Sequence, residues 1–182
     1  MKHDLFFFRQ VFKPAIIKKI NKIFLKSKNF NDVPASAAIK TAKVSQTPYK
    51  YLKKYFKVVE DCTQHANRET FGFDIYSWLD QDSVAHNIYE AKNNGQYTFH
   101  TDCNSYTFKS AIKLTTLINL SEKSYEGGQL ELFLGSQIRT VTDFDKPGDV
   151  VVFKADIPHR VTPVTRGVRI TSSIWTLGPW WR

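Results

Sequence analysis

The sequence predicts a mainly β (α+β) fold, in which N-terminal α-helices brace a β core. Apolar residues recur at helical spacing only before Phe71, and from there the pattern changes to short runs of strand type. Turn signals such as Asn93-Asn94-Gly95, Lys146-Pro147-Gly148-Asp149 and Arg166-Gly167 separate several of these runs. Short strands interrupted at this rate are typical of a sandwich or barrel. A double-stranded β-helix, the jelly-roll barrel with an open mouth, suits this pattern.

The N-terminal region predicts one short strand and two amphipathic helices. Residues 5–12 have strand character, and Pro14 opens the first helix, because proline is tolerated in a first helical turn. A loop follows over about 29–36, residues 38–45 are extended, and the second helix spans roughly 48–68. The apolar positions at helical spacing are Ile16, Ile17, Ile20 and Phe24, and then Leu52, Tyr55, Phe56, Val59 and Ala66. These two stripes are expected to pack against one sheet from outside.

The remainder of the chain predicts nine strands. They cover residues 71–78, 84–90, 96–101, 110–120, 129–134, 137–143, 149–154, 158–164 and 168–176. We expect a single domain over residues 1–182, since 182 residues suffice for one proper core. Within it, residues 1–70 form a strand and helical support region and residues 71–182 form the jelly-roll core.

The positive charge is concentrated near the N-terminus. The formal net charge is +9, but residues 1–60 carry 14 Lys or Arg against 3 acids, and the remainder carries 12 against 14. One interpretation is that the lysines are simply the solvated faces of two amphipathic helices. The other is an acidic partner, either nucleic acid or an acidic protein. No recognised nucleic-acid motif supports the second interpretation.

The sequence predicts a cytoplasmic protein. No apolar stretch approaches the roughly 18 residues of a membrane span. Arg9 and Lys13 interrupt the first apolar run, and no cleavage site follows, so no signal peptide is expected. Cys62 and Cys103 form no C-x-x-C pair, and a reducing compartment suits them.

A histidine and an aspartate two residues apart indicate a metal site. His100 and Asp102 would point to the same face of a strand. His159, just after another predicted strand, would add a second imidazole from across the barrel. Two histidines and one carboxylate on one face of an octahedral metal, with three positions left open, are typical of non-haem Fe(II) oxygenases. An H-x-D triplet alone is weak, and the prediction depends on the order of these residues and on the surrounding strands.

An arginine ten residues after His159 indicates a carboxylate site. Strand alternation places Arg169 with Thr171 on one face, and guanidinium binds carboxylate through two parallel hydrogen bonds. The alternative is a surface arginine on an edge strand. Tyr97 and Asn119 are further candidates for the cosubstrate pocket, and ordinary barrel packing is the alternative for Tyr97.

Five segments in a fixed order resemble a known enzyme family over residues 84–177. They are Tyr97-Thr98-Phe99-His100-Thr101-Asp102, Leu120-Ser121 leading to Tyr125-Glu126-Gly127-Gly128-Gln129-Leu130, Pro147-Gly148-Asp149 with Val152-Phe153, His159-Arg160-Val161-Thr162-Pro163-Val164-Thr165-Arg166-Gly167-Val168-Arg169, and the closing Trp175. The sequence resembles the prolyl-4-hydroxylase-like group of Fe(II)- and 2-oxoglutarate-dependent dioxygenases, in particular the PKHD-type hydroxylases. It departs from them where Tyr89 and Gly95 are offset by an insertion around Asn93-Asn94. The layout also resembles small phage-encoded hydroxylases of this group.

The resemblance implies a jelly-roll enzyme whose iron ligands are His100, Asp102 and His159. It implies that Arg169 binds the distal carboxylate of 2-oxoglutarate and that Tyr97 lies in the pocket. The expected reaction hydroxylates a C–H bond of a prolyl, peptidyl or amino-acid-like substrate with release of succinate and CO2, and O2 is the oxidant. Ascorbate is an expected reductant. The presence of Asp102 favours hydroxylation, because halogenating relatives lack this carboxylate.

Two other functions stay open at this point. The same chemistry on a nucleic-acid base would account for the basic N-terminal third. A non-enzymatic jelly-roll binding module would account for the fold with structural histidines. Iron binding and 2-oxoglutarate decarboxylation separate the module from both enzymes, and salt-dependent nucleic-acid binding separates the two enzymes.

Overall fold

The computed structural model describes residues 4–26, 30–33, 39–103 and 110–180, with the backbone alone for 30–33. The first helix, α1, is Pro14–Lys26, as the proline predicted. The second, α2, is Lys53–Ala66. A single 3-10 turn, Tyr49–Tyr51, precedes α2, and a π turn, Asn67–Phe71, extends it. The predicted second helix over 48–68 is therefore confirmed, although only its middle is α-helical.

The described residues form thirteen strands, most of them where the sequence predicts them. They are β1 Leu5–Phe8, β2 Phe30–Val33, β3 Lys40–Pro48, β4 Ser83–Glu90, β5 Gln96–His100, β6 Ser110–Asn119, β7 Glu126–Gly127, β8 Leu130–Leu134, β9 Gln137–Thr140, β10 Val150–Lys154, β11 His159–Val161, β12 Val164–Arg166 and β13 Val168–Pro179.

The strands form a curled antiparallel sheet in the order β1-β10-β6-β13-β4-β3-β5-β11-β8-β9, and β2 pairs with β3. Strand β3 joins the two halves of the curl. Its end from Lys43 to Pro48 pairs with β4, whereas Lys40 and Thr41 pair with β5. The side chains of β13 and β6 therefore face those of β5 and β11 across a shared cavity. This arrangement confirms the mainly β, jelly-roll fold.

Both helices cover the sheet face opposite this cavity. Because side chains alternate along a strand, Ile118 of β6 and Ile174 of β13 point towards the helices. They pack in one buried cluster with Ile20 of α1 and Phe56 of α2. Burying each such side chain stabilises the fold by about 1.5–3 kcal/mol. The predicted bracing of one sheet by the helices is confirmed.

The predicted strand over 71–78 is wrong. After the π turn ends at Gly72, the chain runs irregularly to Trp78. Side chains satisfy the backbone there, because the Asn67 amide bonds both the N–H and the carbonyl of Phe73. The Trp78 N–H donates to Glu60 Oε1. Aromatic residues in this segment fill the helix–sheet core without strand pairing.

Two smaller predictions need correction. Residues 158–164 do not form one strand, since β11 ends at Val161 and β12 begins at Val164, and Pro163 between them cannot donate a ladder hydrogen bond. The predicted loop over 29–36 includes the strand β2. Residues 29 and 34–38, which belong to that loop and to the start of the predicted extended segment 38–45, lie outside the described residues. In the described part of the chain, no helix combines the length and apolar character needed to cross a membrane.

Candidate metal centre

Two neighbouring strands bring the predicted histidines together. His100 ends β5, His159 begins β11, and the two residues are register partners in the antiparallel pair. Their ring centroids lie 4.2 Å apart. Asp102 follows just beyond the end of β5, where its N–H donates to the carbonyl of Ala155 at 2.9 Å. The turn after β5 is therefore tied to the segment that leads into β11.

The three side chains converge. One possible ligand atom from each of His100, Asp102 and His159 lies within 4.8 Å of the others. His100 Nε2 lies 3.7 Å from Asp102 Oδ1, and His159 Nε2 lies 3.5 Å from Asp102 Oδ2. The structure thus brings together, around one point, the three residues that the sequence selected as ligands.

Backbone carbonyls fix the orientation of both imidazoles. His100 Nδ1 donates to the Thr98 carbonyl at 2.8 Å, and His159 Nδ1 donates to the Ile157 carbonyl at 3.0 Å. A carbonyl only accepts, so the ring proton is held on Nδ1 and the lone pair of each Nε2 points towards Asp102. Metal-binding histidines in proteins are commonly held in this way.

The electrostatics of the centre favour neutral imidazoles. Burial lowers the pKa of His100 to about 4, and the neighbouring His159 contributes in the same direction. Burial also lowers the pKa of His159. Thr115 Oγ1 of β6 donates to Asp102 Oδ2 at 2.7 Å. Two neutral imidazoles and a carboxylate form a donor set that suits a divalent transition metal such as Fe(II).

The centre lies in the wall of a cavity of about 110 Å³. All four predicted catalytic residues, His100, Asp102, His159 and Arg169, line it. The other lining residues come mainly from the inner faces of β3, β4 and β13, and are Lys40, Val44, Gln46, Ala85, Asn87, Tyr89, Tyr97, Leu117, Leu130, Val161, Thr171, Ser173 and Trp175.

Arg169 is a buried cation in the interior of the sheet. Its strand, β13, lies between β4 and β6, and the residue is 1% exposed, so the alternative of a surface arginine on an edge strand is wrong. Within the described residues, its one side-chain hydrogen bond is a long contact of 3.5 Å to Thr171 Oγ1, and its Nε has no partner. Among the described residues, no carboxylate lies within 4.0 Å of its guanidinium. A buried cation without an acid is costly, and an anionic ligand would remove that cost.

The two predicted pocket residues differ in their placement. Tyr97 lines the cavity and stacks on His100 with ring centroids 3.5 Å apart. Asn119 is fully buried on the same face of β6 as Thr115, but it does not line the cavity. Its Oδ1 accepts the Ser121 N–H, and its Nδ2 has no partner in the described structure. A cosubstrate contact by Asn119 stays a prediction.

The sequence interpretation missed a second cation in the cavity, the half-buried Lys40. Its Nζ donates to Asn87 Oδ1 at 2.7 Å and lies 4.6 Å from the centroid of the Tyr97 ring. Burial lowers the pKa of Lys40 to about 8. Alternation over the extended segment 38–45 would have placed Lys40 on one face with Val44, but nothing in the sequence indicated that this face lines the cavity.

Comparisons with known proteins define the family. Residues 84–177 match the 2OG-Fe(II) oxygenase superfamily. The chain is 35% identical over 92 residues to a PKHD-type hydroxylase of Teredinibacter turnerae, and 35% identical over 92 residues to the PKHD-type hydroxylase YbiX of Escherichia coli O157:H7. Each match covers 46% of this chain and only 38% of the relative. The chain belongs to the 2OG-Fe(II) oxygenase superfamily.

Solved structures show the same fold. A Pseudomonas putida prolyl-4-hydroxylase has a TM-score of 0.72 at 17% identity, over 96% of this chain and 92% of that chain. A viral collagen prolyl hydroxylase of Paramecium Bursaria Chlorella virus-1 has a TM-score of 0.69 at 12% identity, over 97% of each chain. A phage origin for the present chain stays a prediction.

The site fits the groups that the family implies, which are Fe(II), 2-oxoglutarate and O2. The neutral imidazoles and the carboxylate supply a donor set for iron. The buried guanidinium of Arg169, which has no acidic partner among the described residues, can bind a carboxylate. Both observations come from the side chains of this protein and do not depend on its relatives.

Proposed function

We propose that this protein is an Fe(II)- and 2-oxoglutarate-dependent hydroxylase. It acts on a C–H bond of a prolyl, peptidyl or amino-acid-like substrate and releases succinate and CO2. One observation carries the proposal. The two carbonyl-held imidazoles and Asp102 converge in the same cavity that buries Arg169, which has no acidic partner among the described residues.

Each catalytic residue has a defined task in this proposal. His100, Asp102 and His159 would hold iron, and Arg169 would hold the distal carboxylate of 2-oxoglutarate. When bound, iron and 2-oxoglutarate together activate O2 for oxidation of the C–H bond. Tyr97 stacks on His100 and restricts the tilt of its ring.

Burial controls the protonation and hydration of the site. The Thr98 and Ile157 carbonyls keep both ring protons on Nδ1, so each Nε2 is available without prior loss of a proton. His159 is 4% exposed and Arg169 is 1% exposed, so little bulk water competes at either group.

The proposed substrate class is supported by the relatives. Both curated relatives are PKHD-type hydroxylases. One structure of the same fold is a prolyl hydroxylase of Trichoplax adhaerens in complex with a peptide fragment of the hypoxia inducible factor oxygen degradation domain. A cytoplasmic location and ascorbate as a reductant belong to the same proposal.

The nucleic-acid alternative receives less support from the geometry. Seven of the 14 Lys and Arg residues in residues 1–60, among them the exposed Lys19 of α1 and Lys54 of α2, lie on the helices. Those helices pack on the sheet face opposite the cavity. A polyanion bound there would not lead directly to the proposed metal centre.

The test measures iron binding and succinate release on purified protein. Asp102→Ala should bind Fe(II) at least tenfold more weakly and release no succinate from 2-oxoglutarate. Asp156→Ala is the control, because Asp156 is exposed on the segment that leads into β11, and it should behave as wild type. Wild-type turnover by Asp102→Ala would exclude its role as a ligand. A wild-type protein that leaves 2-oxoglutarate intact would favour the binding module.

A further inference from the structure

We propose that Lys40 selects a substrate that carries a carboxylate near the C–H bond to be oxidised. This inference rests on the proposed function and names the chemical class of its substrate. No residue of the family pattern predicts it, because Lys40 lies outside the matched residues 84–177.

Lys40 is close to the proposed metal centre. It lies at the start of β3 and is the register partner of Tyr97 on β5. Its Nζ lies 4.6 Å from the Tyr97 ring, and that ring stacks directly on His100. The ammonium and a proposed iron ligand therefore both lie next to the Tyr97 ring. A small substrate, or one side chain of a larger one, can reach both.

The charges that line the cavity leave Lys40 without an acid. Among the described lining residues there are two permanent or near-permanent cations, Lys40 and Arg169, and one carboxylate, Asp102. In the proposed function, Asp102 binds iron and Arg169 binds the cosubstrate. Lys40 then has no anionic partner, since within the described residues no carboxylate lies within 4.0 Å of its Nζ.

The hydrogen bonding of Lys40 leaves room for a ligand. An ammonium group has three donors, and among the described residues one of them goes to Asn87 Oδ1 at 2.7 Å. Asn87 is itself held, because its Nδ2 donates to Ser173 Oγ at 3.2 Å. Burial lowers the pKa of Lys40, so keeping the charge in the cavity costs free energy that a bound anion offsets. A positioned ammonium with two donors left over is a site for an anionic oxygen.

A carboxylate of the substrate suits this site better than the carboxylate of 2-oxoglutarate or a phosphate does. Arg169 lies on β13, and Lys40 lies at the end of β3 that pairs with β5, so the two cations approach the Tyr89 ring from different strands, at 5.3 Å and 6.0 Å from its centroid. In the proposed function, the guanidinium of Arg169 would bind the single distal carboxylate of 2-oxoglutarate without help from Lys40. A phosphate carries about two charges and three acceptor oxygens, whereas Lys40 and the neutral Asn87 supply one charge.

The test compares matched acid and amide ligands on the intact protein. Protein loaded with Fe(II) and 2-oxoglutarate, without O2, is titrated with free amino acids and with the corresponding amino-acid amides. A second arm uses blocked acetyl-Pro-Glu-amide and acetyl-Pro-Gln-amide. We expect the acid to bind at least tenfold more tightly in one arm, and that arm identifies whether the carboxylate is an α-carboxylate or a side chain.

Variants assign that preference to Lys40. Lys40→Met should abolish it, Lys40→Arg should retain it, and the Kd of 2-oxoglutarate should change less than threefold in both. Lys43→Met is the control, because Lys43 lies on the opposite face of β3, where it pairs with Glu90 at 3.0 Å. Unchanged iron binding in Lys40→Met establishes that this variant is folded.

Several results would overturn the inference. Equal binding of acid and amide in both arms, or no binding of either, would do so. A Lys40→Met variant that keeps the preference for the acid, or that no longer binds 2-oxoglutarate, would also do so. Tighter binding of a mixed-sequence oligonucleotide, lost in Lys40→Met, would identify a phosphate site. In each case wild-type iron binding and succinate release would stand, whereas failure of the proposed function would remove them.

Discussion

Thr115 Oγ1 donates a 2.7 Å hydrogen bond to Asp102 Oδ2, which ties the candidate metal centre to the central strand β6. Asp102 lies beyond the end of β5 and lacks the support of a strand ladder. The next residue of β6, Thr116, faces the other way and bonds Thr63 Oγ1 of α2 at 2.9 Å. Adjacent threonines thus contact the proposed iron ligand on one sheet face and a bracing helix on the other.

Because Thr115 and Thr116 face opposite ways, a pair of variants can test whether the Thr115 hydrogen bond holds Asp102 in place for the metal. Thr115→Val keeps the shape of the side chain but removes the donor, so the carboxylate loses one fixed orientation. Loss of such a supporting hydrogen bond typically costs about 10–100-fold in metal affinity. Thr116→Val should lower thermal stability and leave Fe(II) affinity unchanged. Equal Fe(II) affinities of the two variants, measured by titration, would contradict the proposed support.

Arg169 should control cosubstrate binding without affecting iron. Arg169→Met removes the charge and should abolish measurable 2-oxoglutarate binding. Arg169→Lys keeps the charge but loses the planar fork, so its Kd should rise at least tenfold. Fe(II) binding in the absence of cosubstrate should stay at the wild-type level in both. Arg166→Met is the control, because Arg166 is exposed on the adjacent β12. A wild-type Kd in Arg169→Met would refute this assignment.

Much of the fold could be predicted because alternation and turn residues are local signals. In β13, alternation placed Arg169 opposite Ile170, and the structure puts the arginine in the cavity and packs the isoleucine against the helix–sheet core. The failure at 71–78 has a physical cause. Apolar residues there are buried by the helices, and the Asn67 amide replaces the strand partner that the pattern led us to expect.

The candidate site could be predicted only in part. His100, Asp102 and His159 were accessible because their spacing fits one metal donor set. Lys40 was not, since a lysine in an extended segment is normally a solvated residue. Lys40 lines the cavity because β3 pairs with both β4 and β5, and such long-range pairing leaves no local signal in the sequence.

Gly128 should position Arg169 from outside the cavity. A Cβ at this glycine, whose φ is +60°, would lie 2.8 Å from both Arg169 Cδ and Val164 Cγ2. Gly128→Ala should therefore displace the arginine and weaken 2-oxoglutarate binding several-fold, in addition to a backbone strain of about 1 kcal/mol. Gly135→Ala is the matched control, because Gly135 has a similar φ of +65° but nothing lies within 4 Å of the added Cβ. Equal cosubstrate affinities of the two variants would contradict this role.

His86 should make the metal-free protein less stable as the pH falls. It is 1% exposed on the helix side of β4, stacks on Phe24 at 4.4 Å, and bonds Asn21 Oδ1 through Nε2. Burial lowers the pKa of His86 from 6.5 to about 4. Between these values the unfolded chain binds a proton that the folded protein excludes, so stability rises with pH across this window.

Between pH 6.5 and pH 4, the protonation of His86 alone should lower the free energy of unfolding by about 2–3 kcal/mol. His86→Gln cannot titrate but can still donate to Asn21, so its unfolding free energy should fall less steeply with decreasing pH. The buried His100 and His159 contribute equally to both proteins and cancel in the comparison. Urea unfolding at several pH values measures each slope, and parallel curves for His86→Gln and wild type would show that burial of His86 does not exclude its proton.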